Sequence, residues 1–255
     1  MILLLFDIDG TLISTDGAGM RAFYRALQEV FGIRIGRKAV RPDGKTDPLI
    51  LKETIAHFGL NERRNIRSQE EIFARYLDYL EDEMRRTLES GRIRILPGVE
   101  NLLHALSHEP DFALGLATGN IEGGARVKLE KAGLSGFFHF GGFGSDSEDR
   151  TELTRIGIRR GSHYVSPAPV DGAFVIGDTP FDVVHGRSAG AFVVAVASGS
   201  YGIGELRACA PDLALADLTS AESIISFMRT RILSGPDNHE PGQRKLVCRS
   251  QEKGL

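Results

Sequence analysis

Short apolar blocks of strand length alternate along most of this chain with longer stretches in which apolar residues recur every three or four positions. The first block, Ile2 to Phe6, is five apolar residues in a row, which reads as a strand buried on both faces. Further strands are expected over 112–117, 173–176 and 192–197, with a short apolar run over 137–140 and a weaker strand over 213–215. Helical spacing is expected over 99–107, 121–132, 151–161, 181–189 and 221–233. Strands that alternate with helices in this way imply an α/β fold, a parallel sheet covered by helices on both faces.

Between the first strand and the rest of the sheet the pattern changes. From Arg21 to about Ser90 only the helical period recurs, first in Phe23, Ala26, Leu27, Val30 and Phe31, then in the stripe Ile72, Phe73, Tyr76, Leu77, Leu80, Met84 and Leu88. This is a helical insert, broken by the turn-rich run Arg41-Pro42-Asp43-Gly44-Lys45-Thr46-Asp47-Pro48. Pro97-Gly98 reopens the sheet. The expected division is an α/β core of 1–13 and 94–234, a helical segment of 14–93, and a tail of 235–255 that is rich in Pro, Gly and charge, has no periodicity and is expected to be mobile.

Composition narrows the function classes. A net charge of -3 offers no clustered basic face for nucleic acid. The N-terminal apolar run stops at Asp7, far short of a signal peptide or a membrane span, so no membrane partner and a cytoplasmic location are expected. Cys209 and Cys248 are the only cysteines. They support neither a disulfide framework nor a cysteine metal site, and Cys209 reads as a small packed residue. The histidines have no paired metal-ligand spacing, which disfavours a zinc hydrolase. Oligomeric state is left open.

Polar chemistry falls where the strands end. The first strand runs into Asp7-Ile8-Asp9-Gly10, the second into Thr118-Gly119-Asn120, and the fourth into Gly177-Asp178-Thr179-Pro180-Phe181-Asp182. Alternation along a strand puts Asp7 and Asp9 on one face, although a solvated acidic turn would read the same way. In an open parallel sheet ligands bind at the carboxyl ends of the strands, so the three sites should meet in one crevice. Asp7, Asp9 and Asp178 would there supply hard oxygen ligands suited to Mg²⁺. Thr118 offers a hydroxyl, and the N–H groups of Gly119 and Asn120 lie at a helix start, where anions are favoured. Lys45, on the loop between helices, is placed to touch an anionic substrate, or else belongs to a solvated connection.

Taken together these residues resemble the haloacid dehalogenase superfamily of aspartate-nucleophile phosphotransferases, over nearly everything except the tail. The first family motif is similar to Asp7-Ile8-Asp9-Gly10-Thr11, the second to Thr118, and the fourth to Gly177 through Asp182. The resemblance implies a Rossmann-like core with an inserted helical cap, and Gly44-Lys45-Thr46-Asp47 resembles the cap loop of phosphoglycolate-phosphatase-like members. It implies that Asp7 attacks phosphorus, that Asp9 serves as acid and then base with its backbone carbonyl on the metal, that Asp178 binds Mg²⁺, and that Asp182 binds it too or orients the ligands. The implied activity is hydrolysis of a small phosphorylated metabolite, phosphoglycolate or a sugar phosphate, through an aspartyl phosphate. A phosphonatase, a mutase and a silent phosphate-binding module are the alternatives.

One motif departs from the pattern. The family places a lysine before the fourth motif to neutralise phosphate and nucleophile, whereas this chain reads Ser145-Asp146-Ser147-Glu148-Asp149-Arg150-Thr151. Arg150 is the candidate for that role, since guanidinium pairs well with carboxylate and phosphate. Its alternative is a charge near the start of a surface helix.

Overall fold

A computed structural model describes residues 1–33, 40–60 and 69–234 of the chain. The tail expected from residue 235 onward lies outside the described residues, as does Cys248.

The sheet grows from β1 (Ile2–Phe6), whose five residues are all buried. Leu4 pairs with Leu114 of β4 (Phe112–Thr118) on one side and with Phe174 of β6 (Gly172–Gly177) on the other, both parallel. With β5 (Phe140–Phe143), β7 (Phe192–Val196) and β8 (Leu213–Leu215), the six-stranded order is β5-β4-β1-β6-β7-β8. The period of two divides β1 between the two layers. Leu4 and Phe6 pack with Leu103 of α4 (Val99–Ser107), Leu129 of α5 (Glu122–Lys131) and Met228 of α9 (Ala221–Leu233), whereas Leu3 and Leu5 pack with Leu153 of α6 (Arg150–Tyr164). Each fully buried Leu or Phe stabilises the fold by roughly 1.5–3 kcal/mol relative to its exposed state. Of the remaining helices, α7 (Pro180–Ser188) follows β6 and α8 (Ile203–Ala208) follows β7.

The chain leaves the sheet for a helical layer between β2 (Ile13–Ser14) and β3 (Arg94–Ile95), which pair antiparallel. That layer holds α1 (Ala18–Phe31), α2 (Asp47–His57) and α3 (Gln69–Glu89). Phe23 and Leu27 of α1, Ile50 of α2, and Tyr76, Leu80 and Met84 of α3 form its apolar cluster, which Ile121 joins from the sheet side. Arg21 and Arg25 of α1 meet Glu83 of α3 at 2.7 and 2.8 Å.

Two expectations and one omission need correction. The apolar run 137–140 is not a strand: Ser135–Phe137 is a 3-10 turn and β5 begins at Phe140. The reason lies at Gly142, where a Cβ would stand 1.8 Å from the carbonyl oxygen of Leu153, so only a segment bearing glycine there can lie against α6. Second, α8 and the β2–β3 pair had no readable period, being too short to show one. Third, Cys209 packs beside Leu206 but is disulfide-bonded.

Candidate active site

β1 ends at Phe6, so Asp7 and Asp9 lie just past the strand, Asp9 in an isolated bridge with Ile13. The Asp7 backbone N–H continues the ladder to the carbonyl of Ile176 at 2.9 Å. Its carboxylate is buried, with Oδ1 accepting from the Ile8 N–H at 2.8 Å and Oδ2 from Arg150 Nη2 at 3.1 Å. The Thr118 hydroxyl, at the end of β4, stands near enough to favour its charged form. Burial pushes the Asp7 carboxyl above its usual range; the Arg150 guanidinium opposes that push and the charge of Asp182 adds to it.

Two more acids arrive from β6 and α7. Asp178, directly after β6, accepts from Thr11 Oγ1 at 3.0 Å. Burial, reinforced by Asp182 and Asp7, pushes its carboxyl up to about 8. Asp182 sits in the first turn of α7, where a capping box with Thr179 fixes it: its Oδ2 accepts from the Thr179 N–H at 2.9 Å and hydroxyl at 2.7 Å. Its other oxygen accepts from Arg150 Nη2 at 2.5 Å. Arg150, the first residue of α6, is thus buried between Asp7 and Asp182. Burial works against its charge, but the two carboxylates outweigh it and hold the guanidinium above its ordinary pKa.

Carboxylate oxygens of Asp7, Asp178 and Asp182 lie within 4.8 Å of one another. Three buried hard oxygens held this close repel unless a proton or a cation intervenes, and the set is of the kind that a divalent cation takes. The residues present therefore fit the divalent metal site of the fold.

Asp9 differs from its expected place. Its carboxylate stands outside the trio, partly exposed, and its Oδ2 accepts from Asn120 Nδ2 at 2.9 Å and Lys128 Nζ at 2.5 Å. The residues after β4 also depart from expectation: the Asn120 N–H donates to Thr118 Oγ1 at 3.3 Å, and the Gly119 carbonyl accepts from the Asp47 N–H at 2.8 Å. The Asn120 N–H is therefore already engaged within the turn, not left facing an anion. Lys45 lines the cavity, but its Nζ pairs with Glu53 of α2 at 2.5 Å.

The cavity, about 480 Å³, lies between the strand ends and the helical layer and is lined by Asp7, Asp9, Lys45, Tyr76, Arg150 and Asp178 among others. The loop before α2 descends onto it because Gly44 has no side chain: a Cβ there would stand 2.1 Å from the ring of Phe181. Asp47, at the start of α2, accepts from the Ile121 N–H at 2.9 Å, and burial pushes its carboxyl up to about 6 against the pull of Lys128. Sequence reasoning missed Asp47 and Lys128 as parts of the site. For Lys128 a signal existed, a lysine on the stripe of Ala125 and Leu129 that faces inward.

The chain matches the family of haloacid dehalogenase-like hydrolases over residues 4–196. It is 26% identical over 216 residues to the "Probable phosphatase IndB" of Dickeya dadantii (strain 3937), across 83% of this chain and 87% of that protein. In structure it is similar to β-phosphoglucomutase of Clostridium difficile, with a TM-score of 0.64 at 21% identity over 91% of this chain and 100% of the other. It is also similar to a predicted phosphoglycolate phosphatase from Haemophilus somnus 129pt, with a TM-score of 0.62 at 17% identity over 88% and 97% of the two chains. Those two likenesses bear on the fold alone. The family match takes in all four aspartates and Arg150, and on that match the chain belongs to the haloacid dehalogenase-like hydrolases and is an enzyme of that family.

Proposed function

We propose that this enzyme is a Mg²⁺-dependent phosphatase that hydrolyses a small phosphate monoester through an aspartyl phosphate on Asp7. The observation that carries the reading is the buried Asp7 carboxylate beside Arg150 and within 4.8 Å of the Asp178 and Asp182 oxygens. Asp7 attacks phosphorus, an Asp7 oxygen–phosphorus bond forms, and the bond to the leaving oxygen breaks as Asp9 gives that oxygen a proton. Water then attacks phosphorus, Asp9 takes the water's proton, and the bond to Asp7 breaks, releasing inorganic phosphate. Asp7, Asp178 and Asp182, with the backbone carbonyl of Asp9, would hold the Mg²⁺. When bound, the cation neutralises charge on the acids and on the transferring phosphoryl group.

Arg150 keeps Asp7 oriented and offers positive charge next to the phosphoryl oxygens, the part that lysine plays in the family pattern. Thr118 holds Asp7 from the other side. We read residues 14–93 as the cap that closes over the core of 1–13 and 94–234, with Lys45 on its substrate-facing loop. Phosphoglycolate and sugar phosphates are the first substrates to try, in a cytoplasmic setting. The test is release of phosphate from p-nitrophenyl phosphate. Activity is expected with Mg²⁺, none with excess chelator, and a loss on the order of 10³-fold or more in Asp7→Asn. Turnover that persists in that variant would sink the mechanism.

A further inference from the structure

Lys128 lies on a face of α5 that its neighbours make apolar, with Ala125 and Leu129 buried alongside it. An ammonium in such a place is unfavourable unless its donors are satisfied. Its Nζ donates to Asp9 Oδ2 at 2.5 Å and to Asn120 Oδ1 at 2.6 Å, and Asn120 Nδ2 donates to the same Asp9 oxygen at 2.9 Å. The three side chains close a ring of hydrogen bonds. Both bonds to the acid fall on Oδ2, and Oδ1 has no protein partner among the described residues.

Exposure sorts the ring in the same sense. The Lys128 side chain is 5% exposed and that of Asp9 43%. All three side chains line the cavity, but Asp9 is the exposed member and the two that grip it are buried. The helical layer roofs it: at Gly19 of α1, the point where a Cβ would stand is 3.2 Å from Lys128 Nζ and 3.9 Å from the hydroxyl of Tyr76. Arg150 serves the other acid, Asp7, so the two buried cations divide the two acids between them.

We propose that Lys128, together with Asn120, is a positioning clamp that grips Oδ2 of Asp9 and so turns Oδ1 toward the leaving group, where the proton is exchanged. This rests on the reading of Asp9 as acid and base. Lys128 itself touches no reacting atom; it acts by fixing the side chain that does.

The test uses the full chain with Mg²⁺ and two aryl phosphates of similar shape, p-nitrophenyl phosphate and phenyl phosphate. Phenolate is the poorer leaving group, so its departure depends more on the proton that Asp9 delivers. In Lys128→Met, kcat/KM is expected to fall about 100-fold on phenyl phosphate and about tenfold or less on p-nitrophenyl phosphate. Asn120→Ala, which removes the other arm, should reproduce that selectivity more mildly, and it carries the comparison alone if the lysine variant does not fold. Adding Lys128→Met to Asp9→Asn should produce no further loss. Equal losses on the two substrates, or a further loss in the Asp9→Asn background, would overturn the clamp. An Asp9→Asn variant as fast as wild type on phenyl phosphate would instead overturn the reading of Asp9.

Discussion

Arg150 bonds Asp7 and Asp182 through the same nitrogen, Nη2, at 3.1 and 2.5 Å. A guanidinium suits that double contact because its donors are fixed in one plane and it stays charged when buried. Removing it leaves three crowded carboxylates without a counter-charge, and breaking a buried pair from one side costs about 3–5 kcal/mol. Arg150→Ala should therefore lower the unfolding free energy of the metal-free protein by about 3 kcal/mol in urea titration, with part of the loss restored by Mg²⁺. Its kcat/KM should fall by about 100-fold or more, and Arg150→Lys should fall less. The stretch 145–151 has a single basic residue, which is why Arg150 could be read from the sequence. For Lys128 the pattern offers only its place on the stripe of Ala125 and Leu129, which does not say what it meets. What marks it is burial against Asp9 and Asn120, and burial depends on which way α5 lands.

At the level of elements, the strands with unbroken apolar runs were legible because both faces of a parallel sheet are covered. β5 was misplaced by three residues, since two glycines in a four-residue strand carry no apolar signal while the close packing of α6 demands one of them. α2 has a weaker apolar stripe than α1 or α3, and the sequence revealed little of how it docks. It is fixed by its first residue: Asp47 donates its N–H to Gly119 and accepts from Ile121, joining the helical layer to the end of β4. The folded-state pKa of Asp47, raised to about 6 from 3.8, means that the native state holds this proton more tightly than the unfolded chain does. Its contribution is then full below about pH 4 and is lost as pH rises through about 6. Asp47→Asn keeps an acceptor for Ile121 and does not titrate. Wild type minus variant stability should fall by about 1–2 kcal/mol between pH 4 and pH 7, after discounting for the partial exposure of Asp47. Denaturant midpoints across that range check it, and a flat difference would remove Asp47 from the account.

For the molecule as a whole, strand order does the assembling. β1 lies between β4 and β6, so Asp7 meets Thr118 from one neighbour and Asp178 from the other, although these residues are far apart in the chain. The gathering of the strand ends was therefore legible, while the distance of Asp9 from the acidic trio was not, because it depends on the turn after Phe6. Burial, with the charges of Asp182 and Asp7 added to it, raises Asp178 to about 8, and a raised carboxyl contributes stability that is lost as pH climbs from about 4 toward 8. Mg²⁺ competes with that proton, so its stabilising effect should grow over the same interval. At 100 times its Kd the ion should add about 2.7 kcal/mol, or about 5–10 °C in Tm, near pH 8 and clearly less near pH 5. Thermal scans with Mg²⁺ and with chelator at the two pH values measure this.

The central claim is that phosphorus becomes bonded to Asp7. Rapid acid quench of the Asp9→Asn variant during turnover of p-nitrophenyl phosphate with Mg²⁺, followed by peptide mass spectrometry, tests it most directly, because loss of the base slows hydrolysis of the intermediate. The account predicts that the N-terminal peptide gains one phosphoryl group localised to Asp7, and that the gain is absent when Asp7→Asn is added. A phosphoryl group on another residue, or rapid turnover with no labelled peptide at all, would contradict it.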